Sequence, residues 1–412
     1  MRLIIKSLII VFFVVFTGQL SLAQDREDAI KQVKKDVEYL SSDKMKGREA
    51  GTKHEKAAAD YIAKRFKSIG LSPLGDDGTY IQTFSFPKSK DPHTGAESDE
   101  KLEGVNVVGY ISNGADNNVI IGAHFDHLGL GGSSSLGEQG EVHNGADDNA
   151  SGVAAMLYLA ETLKHSKYKR NNYIIVSFTG EEKGLYGSNY FMKNPPFYVN
   201  TMNYMINLDM VGRLNPEKGI VINGVGTSPI WMSALNNADT NLLKFKTTES
   251  GVGPSDQTSF YFKDIPALHF FTGSHEDYHK PSDDADKINF DGIVVISDFI
   301  VNIVGDLNGK LKLAFTRTKD EEKSSTPRYK VSLGVIPDYL YDGEGMRIEG
   351  VKEDRPAIKA GIRSGDVVVG IGEVEVSNMK TYMEGLATLE EGKKALVKVR
   401  RGEKVLEFDV QF

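Results

Sequence analysis

The sequence contains no cysteine among its 412 residues. Disulfide bonds, thiolate metal ligands and cysteine nucleophiles are therefore excluded, and any bound metal ion must be held by His, Asp and Glu side chains. Basic clusters are also missing. The 57 acidic residues outnumber the 49 Lys and Arg residues, which gives a formal net charge of -8. An acidic chain without a Lys/Arg block repels phosphate backbones, and this argues against nucleic acid as a partner.

Long hydrophobic runs are missing after the first 23 residues. Those residues carry the basic Arg2 and Lys6 near their start, continue into an apolar stretch and end with Ser21-Leu22-Ala23. This order is typical of a cleaved signal peptide, and the apolar stretch is short for a membrane anchor, which needs ~20 residues. We therefore predict cleavage after Ala23, export to the periplasm or beyond the cell, and a mature chain without a membrane span.

Helix-like and strand-like patterns alternate between residues 26 and 304. Apolar residues at helical spacing predict helices over 26–40, 54–69, 151–163 and 293–304. Short apolar runs rich in β-branched and aromatic residues predict interior strands over 105–110, 118–122, 173–178, 204–208 and 265–271. This alternation predicts an α/β three-layer sandwich around a central, mostly parallel mixed sheet.

A polar stretch without periodicity, residues 316–328, separates this region from a C-terminal segment of β character. The chain is longer than one hydrophobic core usually spans, so two domains are expected. We predict a signal peptide over 1–23, an α/β domain over 24–315, a linker over 316–328 and a small β-rich domain over 329–412.

Potential metal ligands lie beside the ends of predicted strands in the segments 123–127, 145–152, 178–184 and 207–212. Open α/β sheets bind ligands beyond the carboxyl ends of their strands, so these segments are expected at one edge of the sheet. Residues two apart in extended chain face the same way, which allows Asp126 to accept a hydrogen bond from the His124 imidazole and fix its tautomer.

Each segment taken alone has a simpler structural explanation. Asp147 and Asp148 precede an apolar helix, where Asp commonly caps the N-terminus. Glu181 and Glu182 suit a solvated loop, although adjacent carboxylates at the end of a buried strand repel each other unless a cation is present. Asp209 suits a turn. No single segment therefore establishes a metal site.

Together the segments resemble the M28 family of zinc peptidases throughout the first domain. The stretches that carry the resemblance are His124-Phe125-Asp126, Gly145-Ala146-Asp147-Asp148-Asn149-Ala150-Ser151-Gly152, Thr179-Gly180-Glu181-Glu182, Asn207-Leu208-Asp209, Tyr278-His279, Gly47-Arg48-Glu49-Ala50-Gly51-Thr52 and Ser255-Asp256-Gln257-Thr258-Ser259-Phe260. The family often has His where this chain has Gln257. This departure alters the local hydrogen bonding without removing a ligand.

The resemblance implies a site for two zinc ions. It assigns the bridging carboxylate to Asp148, and the other ligands to His279 and Glu182 at one ion and to His124 and Asp209 at the other. It also implies a cis peptide bond after the bridging Asp.

The resemblance further implies the chemistry. Glu181 is expected to act as general base on an activated water, Asp126 to orient His124, and Tyr278 to help stabilise the oxyanion. Carboxylates such as Glu181 and Asp209 can attract the α-ammonium group of a peptide. We therefore predict a zinc aminopeptidase, a hydrolase that removes single residues from peptides with a free N-terminus.

Three alternatives stay open at this point. A glutaminyl cyclase-like acyltransferase uses one zinc ion on the same fold, although the presence of both His124 and Asp209 favours hydrolysis. A carboxypeptidase is the second. The third is a non-catalytic protein that acts by binding peptides through its C-terminal domain.

Residues 329–412 resemble a PDZ domain of the kind attached to bacterial proteases. The resemblance rests on Ser332-Leu333-Gly334-Val335 and on Arg355-Pro356-Ala357-Ile358-Lys359-Ala360-Gly361-Ile362-Arg363-Ser364-Gly365-Asp366-Val367-Val368. It implies that the backbone at Leu333, Gly334 and Val335 captures the C-terminal carboxylate of a peptide, which adds as a strand to the sheet edge. The alternative is a domain that packs on the peptidase and binds nothing.

Overall fold

The structure is a computed structural model that describes residues 24–88, 98–132, 134–137, 140–239, 243–318, 331–337, 341, 343–351, 355–390 and 392–412. The predicted signal peptide and residues 319–328 of the predicted linker lie outside the described residues. Among the described residues, no helix combines the length and apolarity needed to cross a bilayer.

The first domain contains seven helices and nine strands within the described ranges. The helices are α1 (24–40), α2 (Lys53–Ile69), α3 (Gly152–His165), α4 (Tyr186–Lys193), α5 (Trp231–Ala238), α6 (Gln257–Tyr261) and α7 (Phe290–Leu307). The strands are β1 (Ser72–Pro73), β2 (Ile81–Pro87), β3 (Lys101–Ile111), β4 (Asn118–His124), β5 (Asn172–Phe178), β6 (Met202–Leu208), β7 (Ile220–Asn223), β8 (Phe245–Thr248) and β9 (Ala267–Phe271).

The nine strands form one mixed sheet in the order β1-β3-β5-β4-β6-β9-β7-β8, with β2 paired to β3. Its four central strands β5, β4, β6 and β9 are parallel, while β3 and β7 run antiparallel to their central neighbours. Strands β4, β5 and β6 are buried along their whole length. Parallel strands covered on both faces read as continuous apolar runs, which explains why the sequence pattern located them.

Helices cover both faces of this sheet. Alternate residues of β4 point to opposite sides, so Val119 and Ile121 join the large core beneath α1, α2, α3, α5 and α7. Ile120 joins a smaller core that includes Phe191 of α4 and Phe260 of α6. The predicted three-layer α/β architecture with a mixed central sheet is confirmed. Because the central strands are parallel, the segments that follow β4, β5, β6 and β9 emerge at the same edge.

Residues 316–318, the first three of the predicted linker, contact the first domain. The Thr316 main-chain N–H donates to the Thr227 carbonyl at 2.8 Å, and the Thr318 hydroxyl donates to the Tyr261 hydroxyl at 2.9 Å. Ordered packing on this domain therefore continues to residue 318.

The C-terminal domain is built on an antiparallel sheet in the order β10-β11-β12-β14-β15, with β13 paired to β12. Its elements are β10 (Val335–Pro337), β11 (Met346–Val351), α8 (Pro356–Ala360), β12 (Val367–Ile371), β13 (Val374–Glu375), α9 (Met379–Ala387), β14 (Lys394–Arg401) and β15 (Lys404–Gln411). The domain has its own hydrophobic core, which includes Leu333, Ile348, Val368 and Val399. The β-rich C-terminal domain predicted from the sequence is confirmed.

The packing of α3 against the sheet generates a stability prediction. Leu157 is fully buried in the large core. Leu157→Ala should lower the free energy of unfolding by about 2–5 kcal/mol, because it removes apolar contacts and leaves a cavity. Glu161→Ala is the matched control on the exposed side of the same helix and should change it by less than about 0.5 kcal/mol. Chemical denaturation measures both, and equal effects would contradict this packing.

Candidate metal centre

Three of the predicted ligands lie where the central strands end. His124 is the last residue of β4, Glu182 follows β5 by four positions, and Asp209 directly follows β6. Asp148 comes from the loop before α3, and His279 from the loop between β9 and α7. The parallel arrangement of the strands therefore brings together residues spread over more than 150 positions of the chain.

All five predicted ligands meet in space, and they do so in two groups that share Asp148. His124 Nε2 lies 3.4 Å from Asp148 Oδ1 and 3.3 Å from Asp209 Oδ1. His279 Nε2 lies 3.2 Å from Asp148 Oδ2 and 3.2 Å from Glu182 Oε2. Each carboxylate oxygen of Asp148 thus faces a different group, as expected for a bridging ligand.

These spacings fit zinc. Ligand atoms at about 2.0–2.1 Å from a tetrahedral zinc ion lie about 3.3 Å from one another. Both predicted His ligands also donate Nδ1–H to a main-chain carbonyl, His124 to Asp126 at 3.2 Å and His279 to Ser134 at 3.0 Å. This leaves Nε2 of each ring directed at the carboxylates, the arrangement that metal-ligating His residues adopt.

The charges around the two groups are strongly coupled. Burial acts to raise the pKa of the Asp148 carboxyl, but His127, His124 and His279 outweigh it and hold that pKa well below its ordinary value. Burial likewise opposes ionisation of Glu182, yet His279 and His127 lower the pKa of Glu182 to about 2. Both carboxyls are therefore ionised at neutral pH and available to a cation.

The main chain around Asp148 is held by side chains from distant segments. The Asp283 carboxylate accepts hydrogen bonds from the main-chain N–H groups of Asp147 and Asp148 at 2.9 and 3.1 Å. The Asp147 side chain turns away from the ligand groups and accepts from Gly212 N–H at 2.6 Å and pairs with His275 at 3.1 Å. Neither Asp therefore acts as the N-cap of α3, and the peptide bond after Asp148 is cis as the resemblance implies.

Glu181 lies beside these groups without joining them. Its main-chain N–H donates to Asp126 Oδ1 at 3.2 Å. Burial raises the pKa of the Glu181 carboxyl well above its ordinary value, and the Asp209 and Glu182 carboxylates add to the rise while His124 opposes it. A raised pKa suits a group that takes up a proton near neutral pH.

Asp126 differs in detail from the expectation. His124 Nδ1 donates to the main-chain oxygen of Asp126, whereas the nearer carboxylate oxygen lies 3.7 Å away. The carboxylate instead accepts from the Glu181 main chain. Asp126 therefore links the His124 ring to the Glu181 segment. The ring of Tyr278 stacks on that of His279, with 3.8 Å between the centroids.

His127 is a member of the site that the sequence reasoning missed. It is buried, and its Nδ1 donates to Glu182 Oε1 at 2.7 Å. That distance is typical of a hydrogen bond to a carboxylate and too short for two ligands of one tetrahedral ion. His127, Asp148 and Glu182 lie close enough to hold an ion, but His279 fits better because its Nε2 is equidistant from both carboxylates. In the sequence, the position of His127 three residues after the predicted ligand His124 was the signal that could have identified it as a site residue.

Gln257, where the family often has His, forms a hydrogen bond with a neighbouring side chain. Its amide oxygen accepts a hydrogen bond from the Asn207 side chain at 3.2 Å, and the Ser255 hydroxyl accepts another at 2.8 Å. Asn207 lies two residues before Asp209. The neighbouring Asp256 is fully buried, and burial together with the Asp126 and Asp209 carboxylates raises the pKa of Asp256 to about 7.

A second candidate site lies in the C-terminal domain, at the start of β10. Among the described residues, β10 is the edge strand of its sheet and pairs with β11 alone. Gly334 has φ 75°, a conformation that favours glycine, and the Leu333 carbonyl accepts from Ala357 N–H at 2.9 Å. The Leu333 side chain is buried in the core, so only its main chain is available to a ligand.

Models of known protein families match both the first domain and the C-terminal domain. The family described as "Peptidase family M28" matches residues 106–304, and the one described as "PDZ domain" matches residues 314–412. Both resemblances drawn from the sequence are confirmed by these matches.

Two curated relatives are similar to the first domain. "Uncharacterized protein YfbL" of Escherichia coli is 26% identical over 217 residues, 45% of this chain and 66% of the relative. "Aminopeptidase YwaD" of Bacillus subtilis is 28% identical over 173 residues, 39% of this chain and 37% of the relative. The chain thus matches less than two thirds of the length of either.

Solved structures share the fold. A zinc aminopeptidase of Bacillus subtilis, BSAP, superimposes with a TM-score of 0.55 at 17% identity, over 70% of this chain and 98% of that one. A glutaminyl cyclase of Porphyromonas gingivalis superimposes with a TM-score of 0.52 at 20% identity, over 68% and 98%. At these identities the likeness is one of fold, so the chemistry must be judged from the site itself.

The different hydrogen bonding of His279 and His127 generates a prediction. His279→Ala should reduce the number of zinc ions bound per chain by about one, because it removes a predicted ligand. His127→Ala should keep the number and weaken zinc binding about 10–100-fold, because it removes the hydrogen bond that orients Glu182. Metal analysis after dialysis and chelator competition measure both quantities. The reverse pattern would show that His127 is the ligand.

Proposed function

The chain carries a domain of peptidase family M28 followed by a PDZ domain, and from this premise we propose that it is an exported zinc aminopeptidase, a hydrolase acting on peptides with a free N-terminus. The observation that carries the proposal is the pair of ligand groups that share Asp148, with Glu181 beside them. The export signal predicted over residues 1–23 supports a periplasmic or extracellular location.

The ligand groups define the proposed cofactor. One zinc ion would be held by His124, Asp148 and Asp209, and a second by Asp148, Glu182 and His279. When bound, the two ions would make a water molecule more acidic and polarise the carbonyl group of the substrate.

Glu181 is the proposed general base. Its side chain follows that of Glu182 in the chain but takes no part in the ligand groups, so its carboxylate is free to accept the proton of the attacking water. The same carboxyl can then deliver that proton to the amine of the leaving peptide. Burial and the neighbouring carboxylates raise its pKa, which favours both transfers near neutral pH. Tyr278, stacked on His279, is the proposed donor that helps to stabilise the oxyanion.

The excess of carboxylates supports action at the N-terminus of the substrate. Asp126, Glu181 and Asp256 lie beside the ligand groups, which already contain Asp148, Asp209 and Glu182. Burial, together with repulsion from neighbouring carboxylates, raises the pKa of Glu181 and Asp256. An α-ammonium group relieves such repulsion, whereas a C-terminal carboxylate adds to it. This favours an aminopeptidase over a carboxypeptidase.

The fold shared with a glutaminyl cyclase makes cyclisation the second candidate. Both ligand groups are complete in this chain, which supports hydrolysis by a two-ion site over single-ion chemistry. Purified mature protein should release the first residue from aminoacyl chromogenic substrates. Conversion of an N-terminal glutaminyl peptide to the pyroglutamyl form, without hydrolysis, would support the cyclase instead.

The proposed base can be tested directly. Glu181→Gln should keep the wild-type zinc content, because Glu181 takes no part in the ligand groups, and should lose about 10²–10⁴-fold in kcat, because an amide cannot take up the proton of the attacking water. Hydrolysis of a chromogenic aminoacyl substrate and metal analysis of the same samples measure the two effects. Full activity in the zinc-loaded variant would falsify this role.

We extend the proposal to the C-terminal domain, which would bind the C-terminus of a peptide at Leu333, Gly334 and Val335. A labelled, N-acetylated peptide with a free C-terminal carboxylate should bind, whereas its C-terminal amide should not, because this mode of recognition depends on main-chain capture of the carboxylate. N-acetylation prevents removal of residues from the probe. Gly334→Val should abolish binding, since a Cβ atom there meets the Arg355 side chain at 2.2 Å. Equal binding of acid and amide, measured by fluorescence anisotropy, would argue for a domain that binds no C-terminus.

A further inference from the structure

Arg48 is the only Arg or Lys side chain among the described residues that is fully shielded from solvent. It ends a short helical segment, Asp43–Arg48, which precedes the residues matched by the peptidase family. Within the part of the chain that the structure describes, its guanidinium donates to five main-chain carbonyls and to no carboxylate. The acceptors are Leu40 O at 3.0 Å, Phe125 O at 2.6 Å, Asn144 O at 2.6 Å, Gly145 O at 2.7 Å and Asp148 O at 3.4 Å.

Four of these carbonyls lie at the two ends of the connection between β4 and α3, next to His124 at one end and around Asp148 at the other. Phe125 lies directly after His124, and its carbonyl group is fixed by the Arg48 Nε donor. Asn144 and Gly145 begin the loop that leads to Asp148, whose own carbonyl is the most distant acceptor. The planar, five-donor guanidinium is suited to such a fork of acceptors, and a lysine ammonium is not.

The backbone that presents Arg48 is unusual. Lys46, Gly47 and Arg48 all have positive φ, at 46°, 64° and 37°. Non-glycine residues rarely adopt this conformation, and such outliers persist only where the surroundings enforce them. At Gly47 the chain also passes close to other backbone, because a Cβ atom there would lie 2.5 Å from Gly129 O and 2.6 Å from His143 O.

The buried charge also has an electrostatic role. Burial lowers the pKa of Arg48 to about 10, and the Asp148, Asp126, Asp283 and Glu182 carboxylates act against this decrease. The guanidinium therefore remains charged at neutral pH behind the carboxylate cluster.

We propose that Arg48 is a positioning residue for the metal centre, which fixes the start of the connection between β4 and α3, after His124, against its end, before Asp148, so that the two ligands face each other before an ion binds. This inference rests on the proposed function, since it requires that the centre bind zinc. Arg48 itself contacts neither substrate nor ion.

The test compares Arg48→Lys with wild type, using the full mature chain. Lysine keeps the charge but cannot satisfy the fork of carbonyls. Zinc affinity, measured by competition with a chromogenic chelator, should fall about 10–100-fold, the usual effect of losing a group that orients a ligand. Arg65→Lys is the matched control, because Arg65 binds Asp36 in the same N-terminal region at 2.9 Å, away from the centre. Its zinc affinity should equal that of wild type.

A purely structural role predicts another pattern. It would lower the thermal stability of the metal-free Arg48→Lys protein and leave zinc affinity unchanged, and this outcome overturns the inference.

Arg48→Ala supplies a second measurement: millimolar guanidinium ion should restore part of its zinc affinity by occupying the vacated space, and should leave Arg65→Ala unaffected. If Arg48→Ala does not fold, the zinc affinity of Arg48→Lys alone decides whether the inference holds. Failure of wild type to bind zinc overturns the proposed function and the inference with it, whereas wild-type affinity in Arg48→Lys overturns the inference alone.

Discussion

The collection of negative charge at the edge where the parallel central strands end is the constraint on which the structure depends. Asp148 places its two oxygens against two separate imidazoles, and Glu182 and Asp209 complete the groups on either side. Carboxylates buried this closely repel one another strongly unless cations lie between them. The site is therefore suited to divalent ions, and under the proposed function the remaining carboxylates would attract the positively charged N-terminus of a substrate.

The rest of the first domain holds the segments that carry these carboxylates in place. Strands β4, β5 and β6 are buried throughout, which fixes the points where the ligand-bearing segments leave the sheet. Their main-chain groups are then held by side chains from elsewhere: Asp283 binds the N–H groups at Asp147 and Asp148, and Arg48 binds the carbonyls. Around Asp148, the main-chain N–H groups thus donate to the Asp283 carboxylate, and the main-chain carbonyl groups accept from the Arg48 guanidinium.

Much of this arrangement follows from local sequence patterns. Helix α2 extends from Lys53 to Ile69, close to the predicted 54–69, because Thr52 caps its start and Gly70 adopts the left-handed conformation that ends it. All five predicted ligands meet, since motif order along parallel strands determines which residues reach the sheet edge. The contacts of His127 with Glu182 and of Asp126 with the Glu181 main chain did not follow, because neither is set by spacing along the chain.

The sequence by itself determined the residue types of the site, the alternation of strands and helices, and the division into two domains, because periodicity and motif order are local properties. Only the tertiary structure decided which atoms meet: that His279 faces the carboxylates through Nε2, that His124 donates to a main-chain rather than a side-chain oxygen, and that Arg48 binds both ends of the connection between β4 and α3. Such contacts depend on the relative placement of segments far apart in the chain, such as those of Asp148 and His279, and packing of the whole core sets that placement.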